Sequence, residues 1–190
     1  MNYIYTLKIV WICLFFSVMV FFYFKQRLAK IKPFNTLNQA FIKNIINGLP
    51  IILYSTIIFL MIFKIDTSMN HIWVPNIHLQ IALIALNYIL VLLLYKSYSD
   101  LGTSWQYNYS TNSFQNLVTT GVYQYSRNPI FIFYNLSSII WSIVTGNIII
   151  VTSSILIIII LHYKIIGEEK FLSKNYSNYK KYKFKVPRYI

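Results

Sequence analysis

The chain has 190 residues, of which 57% are hydrophobic and only 11% are charged, and its formal net charge is +13. Soluble domains carry about 25% charged residues and disordered segments combine low hydrophobicity with high charge, so the composition argues against both. The remaining class is an all-α integral membrane protein. Basic residues beside apolar segments set topology and meet anionic lipid headgroups, so we expect membrane lipids as partners and no nucleic acid.

Five apolar segments follow one another along the chain: Leu7–Phe24, Ile45–Phe63, Ile77–Tyr95, Ile130–Thr145 and Ile148–Tyr163. A transmembrane helix needs about 20 residues; the first three segments fit and the last two are slightly short. Gly146-Asn147 is a turn signal, which predicts a tight helical hairpin. The sequence therefore predicts one membrane domain, 1–190, with about five transmembrane helices: three N-terminal spans in 1–95, then a region 96–190 that ends in a cytoplasmic segment.

The positive residues predict the orientation of this domain. With five spans, fifteen of the seventeen Lys and Arg residues fall on one side of the membrane. We therefore expect the N-terminus outside and the C-terminus in the cytoplasm. The membrane is a bacterial inner membrane or an endoplasmic reticulum membrane.

The chain has only four acidic residues, and its two glutamates, Glu168 and Glu169, are adjacent and follow the last apolar segment. Two neighbouring carboxylates repel each other, and Lys164, which can compensate this repulsion, lies four residues before Glu168 on the same helix face. This pattern indicates either an interfacial ion pair or a site for a cationic or hydroxyl-bearing ligand. With one cysteine and three histidines, we expect no metal site.

A polar connector of about 30 residues, Asp100–Pro129, separates the third and fourth segments, and long ordered loops are often functional. Thr119-Thr120-Gly121 predicts a turn, and Asn128-Pro129 predicts the start of a helix. The tail YSNYKKYKFKVPRYI (176–190) interleaves basic and aromatic residues. That composition is typical of a segment lying on an anionic leaflet.

Three motifs occur in a fixed order: LVTTGVYQYSRNP (117–129), KIIGEEKFL (164–172) and the tail YSNYKKYKFKVPRYI (176–190). Together, with a helical hairpin between the first two, they resemble the membrane-embedded methyltransferases. That family includes isoprenylcysteine carboxyl methyltransferase and phospholipid N-methyltransferases.

The resemblance implies a cytoplasm-facing pocket for S-adenosylmethionine, built by the last two helices and the segments flanking them, with a lipidic acceptor that enters from the bilayer. Carried over by position, the cofactor residues are Asn108, Gln115, Asn116, Leu117, Val118, Tyr123, Asn128, Pro129, Ile130, Phe131 and Glu168. The substrate residues are Arg127, Lys164 and Glu169, with Lys164 where the family has an arginine. Methyl transfer is an in-line displacement that positioning and water exclusion can promote, so we assign no further catalytic residue.

The closest activity by resemblance is protein-S-isoprenylcysteine carboxyl O-methylation. A phospholipid amine or a small thiol is an alternative acceptor. Two other functions stay open: a catalytically idle scaffold or binding protein of the same fold, and a small transporter. The transporter is disfavoured because the apolar segments carry almost no ionisable residues, which transport paths usually contain.

Overall fold

The computed structural model describes residues 72–73, 75–102 and 117–190. Every regular element in this part of the chain is a helix: α1 (Ile77–Leu101), α2 (Pro129–Thr145), α3 (Ile148–Asn175) and α4 (Tyr179–Lys185), with a short 3-10 helix, Gly121–Gln124. The predicted spans Leu7–Phe24 and Ile45–Phe63 lie outside the described residues. The predicted all-α class is confirmed for the described part, whereas the number of spans and the orientation stay predictions.

Two of these helices, α1 and α3, are long and apolar enough to cross a membrane. At 1.5 Å per residue their 25 and 28 residues span about 37 and 42 Å, against about 30 Å of hydrocarbon. The 17-residue helix α2 is shorter, as predicted. The predicted ends at Tyr95 and Tyr163 were too early, because both helices continue into polar sequence. Glu168 and Glu169 follow the apolar part of α3 but lie within the helix, on which Lys164 precedes Glu168 by one turn, as their spacing predicted.

The turn between α2 and α3 forms the predicted tight hairpin. Gly146 ends α2 with φ 60°, a left-handed conformation that favours glycine. The side chain of Asn147 then caps α3 by accepting a hydrogen bond from the Ile149 N–H at 2.9 Å. The chain before α1 packs on this turn, where the Trp73 indole N–H donates to the Ile143 carbonyl at 2.8 Å.

Helix α2 lies between α1 and α3 and contacts both. Polar side chains join the helices inside this apolar interface: the Ser137 hydroxyl donates to Asn87 Oδ1 at 2.5 Å, and the Ser142 hydroxyl donates to that of Ser154 at 2.8 Å. Small polar residues of this kind are common between transmembrane helices. The buried apolar core comprises Leu90, Val91, Leu94, Tyr134, Ile140, Trp141, Val144, Ile157 and Leu161.

The C-terminal tail folds back onto the end of this bundle. Helix α4 buries Tyr179 and Tyr182, which together with Val186 pack against Leu117 and Leu172. The spacing of these buried residues, three and then four apart, defines one face of a helix. The tail therefore holds the segment before α2 against the end of α3, where both glutamates lie.

Candidate functional site

The segment that leads into α2 is fixed at both of its ends. At the start, Gly121 has φ 63°, and Asp100 accepts a hydrogen bond from the Val122 N–H at 3.0 Å. At the end, Asn128 precedes Pro129, the first residue of α2, where proline lacks only an N–H that a helix start leaves unpaired. Both predicted signals, the turn at Gly121 and the helix start at Asn128-Pro129, are confirmed.

Glu169 lies in a buried charge cluster with two arginines. Its side chain is 4% exposed, and its carboxylate oxygens lie 3.2 Å from Arg127 Nη2 and 2.9 Å from Arg188 Nη2. Arg188 also donates from Nε at 3.2 Å, which makes its contact bidentate. The hydrogen bond with Glu169 raises the pKa of Arg188 above its usual value, so this guanidinium stays charged. Asn128 completes the cluster by donating from Nδ2 to Glu169 Oε1 at 3.2 Å.

This cluster joins the tail to the segment before α2. The Arg127 N–H donates to the Pro187 carbonyl at 3.0 Å, and the Ser126 hydroxyl donates to the Arg188 carbonyl at 3.0 Å. At the next residue of the tail, the Tyr189 hydroxyl lies 2.7 Å from His162 Nδ1. The last residues of the chain therefore run back along α3 toward its apolar part.

Glu168 belongs to a second group, on a neighbouring face of α3. It is partly exposed, and its charge interacts with Lys164 one turn earlier. The Lys164 ammonium lies 5.4 Å from the ring centre of Phe131, within the range of a cation–π interaction. Lysine and glutamate therefore present opposite charges side by side at the start of α2.

Two phenols complete this second group. Tyr98, near the end of α1, interacts electrostatically with Glu168. Tyr123 is buried in the 3-10 helix, and burial, Tyr98 and Glu168 all raise its pKa, so it stays a neutral phenol. The Tyr182 hydroxyl donates to the Tyr123 carbonyl at 2.6 Å, which ties the 3-10 helix to the tail. Polar groups from α1, the 3-10 helix, α3 and the tail thus converge near Glu168.

The structure separates the predicted site residues into two groups. Tyr123, Phe131, Lys164 and Glu168 belong to the group around Glu168, and Arg127, Asn128 and Glu169 belong to the buried cluster. Leu117 and Val118 are half-buried at the start of the segment, and Pro129 and Ile130 lie in the first turn of α2. Asn108, Gln115 and Asn116 lie outside the described residues. Binding roles for all of these residues stay predictions.

Sequence reasoning did not assign three residues that the structure brings to this site: Tyr98, Tyr182 and Arg188. The tail motif V-P-R pointed to Arg188 as part of the resemblance, but no periodicity links it to a glutamate 19 residues away. For Tyr182 and Tyr98, the sequence shows only the spacing of residues on one face of a helix, and this spacing does not connect either residue to the site.

The geometry around Glu168 suits a small zwitterionic ligand. A carboxylate can bind an ammonium group or accept from hydroxyls, and such charge-assisted hydrogen bonds are strong. The adjacent ammonium of Lys164 can attract a ligand carboxylate or phosphate. The neutral phenols of Tyr98 and Tyr123 supply further polar groups without adding charge.

A family model described as phospholipid methyltransferase matches residues 75–179, which is more than half of the chain. The chain belongs to this family of membrane methyltransferases, and the resemblance read from its motifs is confirmed. Family membership and the two long apolar helices together identify a membrane protein. The comparisons with curated proteins and with solved structures gave no match.

Proposed function

We propose that this chain transfers a methyl group from S-adenosylmethionine to a lipidic acceptor at the site around Glu168. The observation that carries the proposal is the Lys164–Glu168 pair, which lies inside the family match and adjoins the start of α2. The family match supports methyl transfer in a membrane, and the polar and charged residues around Glu168 are the reason for proposing S-adenosylmethionine as the methyl donor.

The residues around Glu168 fit S-adenosylmethionine by their chemistry. The cofactor carries an ammonium, a carboxylate, a sulfonium and ribose hydroxyls. Glu168 would hold the ammonium or the hydroxyls, and backbone groups at Leu117 and Val118 would hold the adenine, while Lys164 would face the acceptor. When bound, the cofactor supplies an activated methyl group.

The contribution of the chain is to position the reactants and exclude water. An in-line displacement on carbon needs no general acid, and bringing two bound reactants into contact removes much of the entropic barrier. Tyr123 and Phe131 flank the polar pair and reduce its contact with water, which strengthens its electrostatic interactions. This explains how a site with few titratable groups is sufficient for the reaction.

The acceptor is proposed to be membrane-borne. Isoprenylcysteine carboxylate, the closest acceptor by resemblance, is already ionised and needs no base. An amine headgroup, which the family description favours, must first lose its proton to water so that the nitrogen lone pair can attack the methyl carbon. Lys164 offers a single cationic point where the relatives have an arginine fork, which binds carboxylates in a bidentate manner, and this substitution favours the headgroup over the prenylated cysteine. A small thiol is a third acceptor for the same assay.

Equilibrium binding of S-adenosylmethionine to the purified protein in detergent tests the proposal. Glu168→Gln should weaken binding about tenfold or more, since a hydrogen bond to a charged group contributes roughly 1.5–3 kcal/mol. Lys170→Gln is the control, because Lys170 is exposed in the same turn of α3. The proposal fails if Glu168→Gln leaves both cofactor binding and methyl transfer intact.

The acceptor is then identified by transfer of a labelled methyl group to phosphatidylethanolamine, to a prenylated cysteine and to a small thiol in parallel. If the wild type binds neither S-adenosylmethionine nor S-adenosylhomocysteine, the alternative of an idle scaffold with the family fold replaces the enzyme.

A further inference from the structure

Helix α4 has two faces of different chemistry. Tyr179 and Tyr182 pack inward and are 1% and 8% exposed. The other side of the helix carries four lysines, all of them exposed: Lys180, Lys181, Lys183 and Lys185. We call these four lysines and Phe184 the basic face.

The lysines of the basic face have no acidic partner within the described part of the chain. Asp100 pairs with Lys96, Glu169 pairs with the two arginines, and Glu168 interacts with Lys164. The four charges are therefore not used to hold the protein together. They repel one another unless an anion from outside the chain approaches them.

The basic face also exposes an aromatic side chain. Phe184 lies between two of the lysines and is 94% exposed. Tyr125, two residues before Arg127, is 68% exposed, and Ile190, two residues after Arg188, is 85% exposed. Isolated apolar side chains at a surface are ordinary, but aromatic residues among lysines beside a transmembrane helix are typical of the membrane interface.

We propose that the basic face of α4 binds anionic lipid headgroups of the leaflet that holds the end of α3. The lysines would contact the phosphates, and Phe184 would enter the headgroup region. The partner is a lipid surface because α4 starts only four residues after α3, a candidate transmembrane helix, ends. Tyr182 ties the opposite face of α4 to Tyr123, and Arg188, three residues after α4, ties the tail to Glu169. Lipid contact would therefore also hold the tail against the site.

The test compares the full chain in nanodiscs of phosphatidylcholine with nanodiscs that also contain phosphatidylglycerol. The bound lipids are counted by native mass spectrometry, and hydrogen exchange reports protection of residues 176–190. The wild type should retain phosphatidylglycerol preferentially and should protect the tail when it is present. High salt should reduce both effects, because it screens exposed charges.

The test variant is the double substitution Lys181→Gln and Lys185→Gln. The control is Lys170→Gln with Lys174→Gln, which removes the same charge from exposed positions on α3. Each basic residue near an anionic surface changes binding about fivefold, so the test variant should lose about tenfold or more of the phosphatidylglycerol preference. Unchanged thermal unfolding in phosphatidylcholine would show that the variant is folded.

The proposal is overturned if the wild type shows no preference for phosphatidylglycerol, or if the control loses as much of it as the test variant. Phe184→Ser provides an independent measurement, since it should weaken tail protection without changing the salt dependence. These measurements need no methyl transfer, so their outcome is separate from that of the proposed function.

Discussion

Replacing Glu169 by glutamine tests whether the buried cluster stabilises the fold or contacts a ligand. The substitution keeps the size of the side chain but removes the one negative charge between two arginines. The Arg127 side chain is 6% exposed and cannot turn to water, whereas that of Arg188 is 32% exposed and can. Glu169→Gln therefore leaves one buried cation without a counter-charge.

The expected loss follows from this burial. Removing one partner of a buried ion pair costs about 3–5 kcal/mol, and the lower end applies because glutamine can still accept one hydrogen bond. For a chain of this length each 1 kcal/mol shifts Tm by roughly 2–4 °C. Glu169→Gln should thus lower Tm by roughly 6–12 °C. Arg188→Gln should cost less than half as much, because the Arg188 side chain is partly exposed in the wild type and Glu169 keeps Arg127 as its partner in the variant.

The assay is thermal unfolding in detergent, with Glu168→Gln as the matched control in the adjacent position. Glu168 is partly exposed, so its substitution should change Tm by less than about 2 °C while it weakens the binding of S-adenosylmethionine. A Glu169→Gln protein that unfolds within about 2 °C of the wild type would refute the structural role. If that protein also lost affinity for the acceptor, the predicted substrate contact of Glu169 would be favoured instead.

Two further substitutions test the segment before α2 and the helix interface. Gly121→Ala should reduce cofactor binding and stability, since its Cβ would collide with the Asp100 carboxylate and the residue has a positive φ. Gly167→Ala is the control. A Cβ at Gly167 meets no atom within 4 Å, so this substitution should be neutral or slightly stabilising. Ser137→Ala should lower the free energy of unfolding by about 0.6 kcal/mol, the mean for hydrogen bonds between transmembrane helices, because it removes the donor to Asn87 Oδ1. A change below about 0.2 kcal/mol would show that this hydrogen bond contributes nothing to stability.

The turns of this protein were predictable because their signals are local. Gly146-Asn147 and Asn128-Pro129 mark a helix end and a helix start by backbone preference alone, and the structure confirms both. Hydropathy placed the apolar parts of α1 and α3 correctly for a similar reason. It missed their last turns, because a helix continues through polar residues such as Lys164 and Glu168 as long as its backbone hydrogen bonds are made.

The buried cluster could not be derived from spacing. The contact between Arg188 and Glu169 depends on the tail folding back along α3, and no pattern within either segment encodes that return. The tail composition led to the expectation of a segment lying on a leaflet. The structure adds that the tyrosines of α4 face the protein, so only the lysine side is available to lipid.

The position of the two glutamates next to each other has a geometric reason. Consecutive residues on an α-helix point about 100° apart, so two adjacent carboxylates project in different directions from one turn. Glu169 projects into the arginines that tie the tail to α3, and Glu168 projects beside Lys164 and Tyr123. Because Arg188 and Tyr182 connect these two environments, a loosened tail should displace the 3-10 helix that carries Tyr123. The stability of the buried cluster and the affinity of the Glu168 site should therefore fall together in Arg188→Gln, whereas in Glu168→Gln only the affinity should fall.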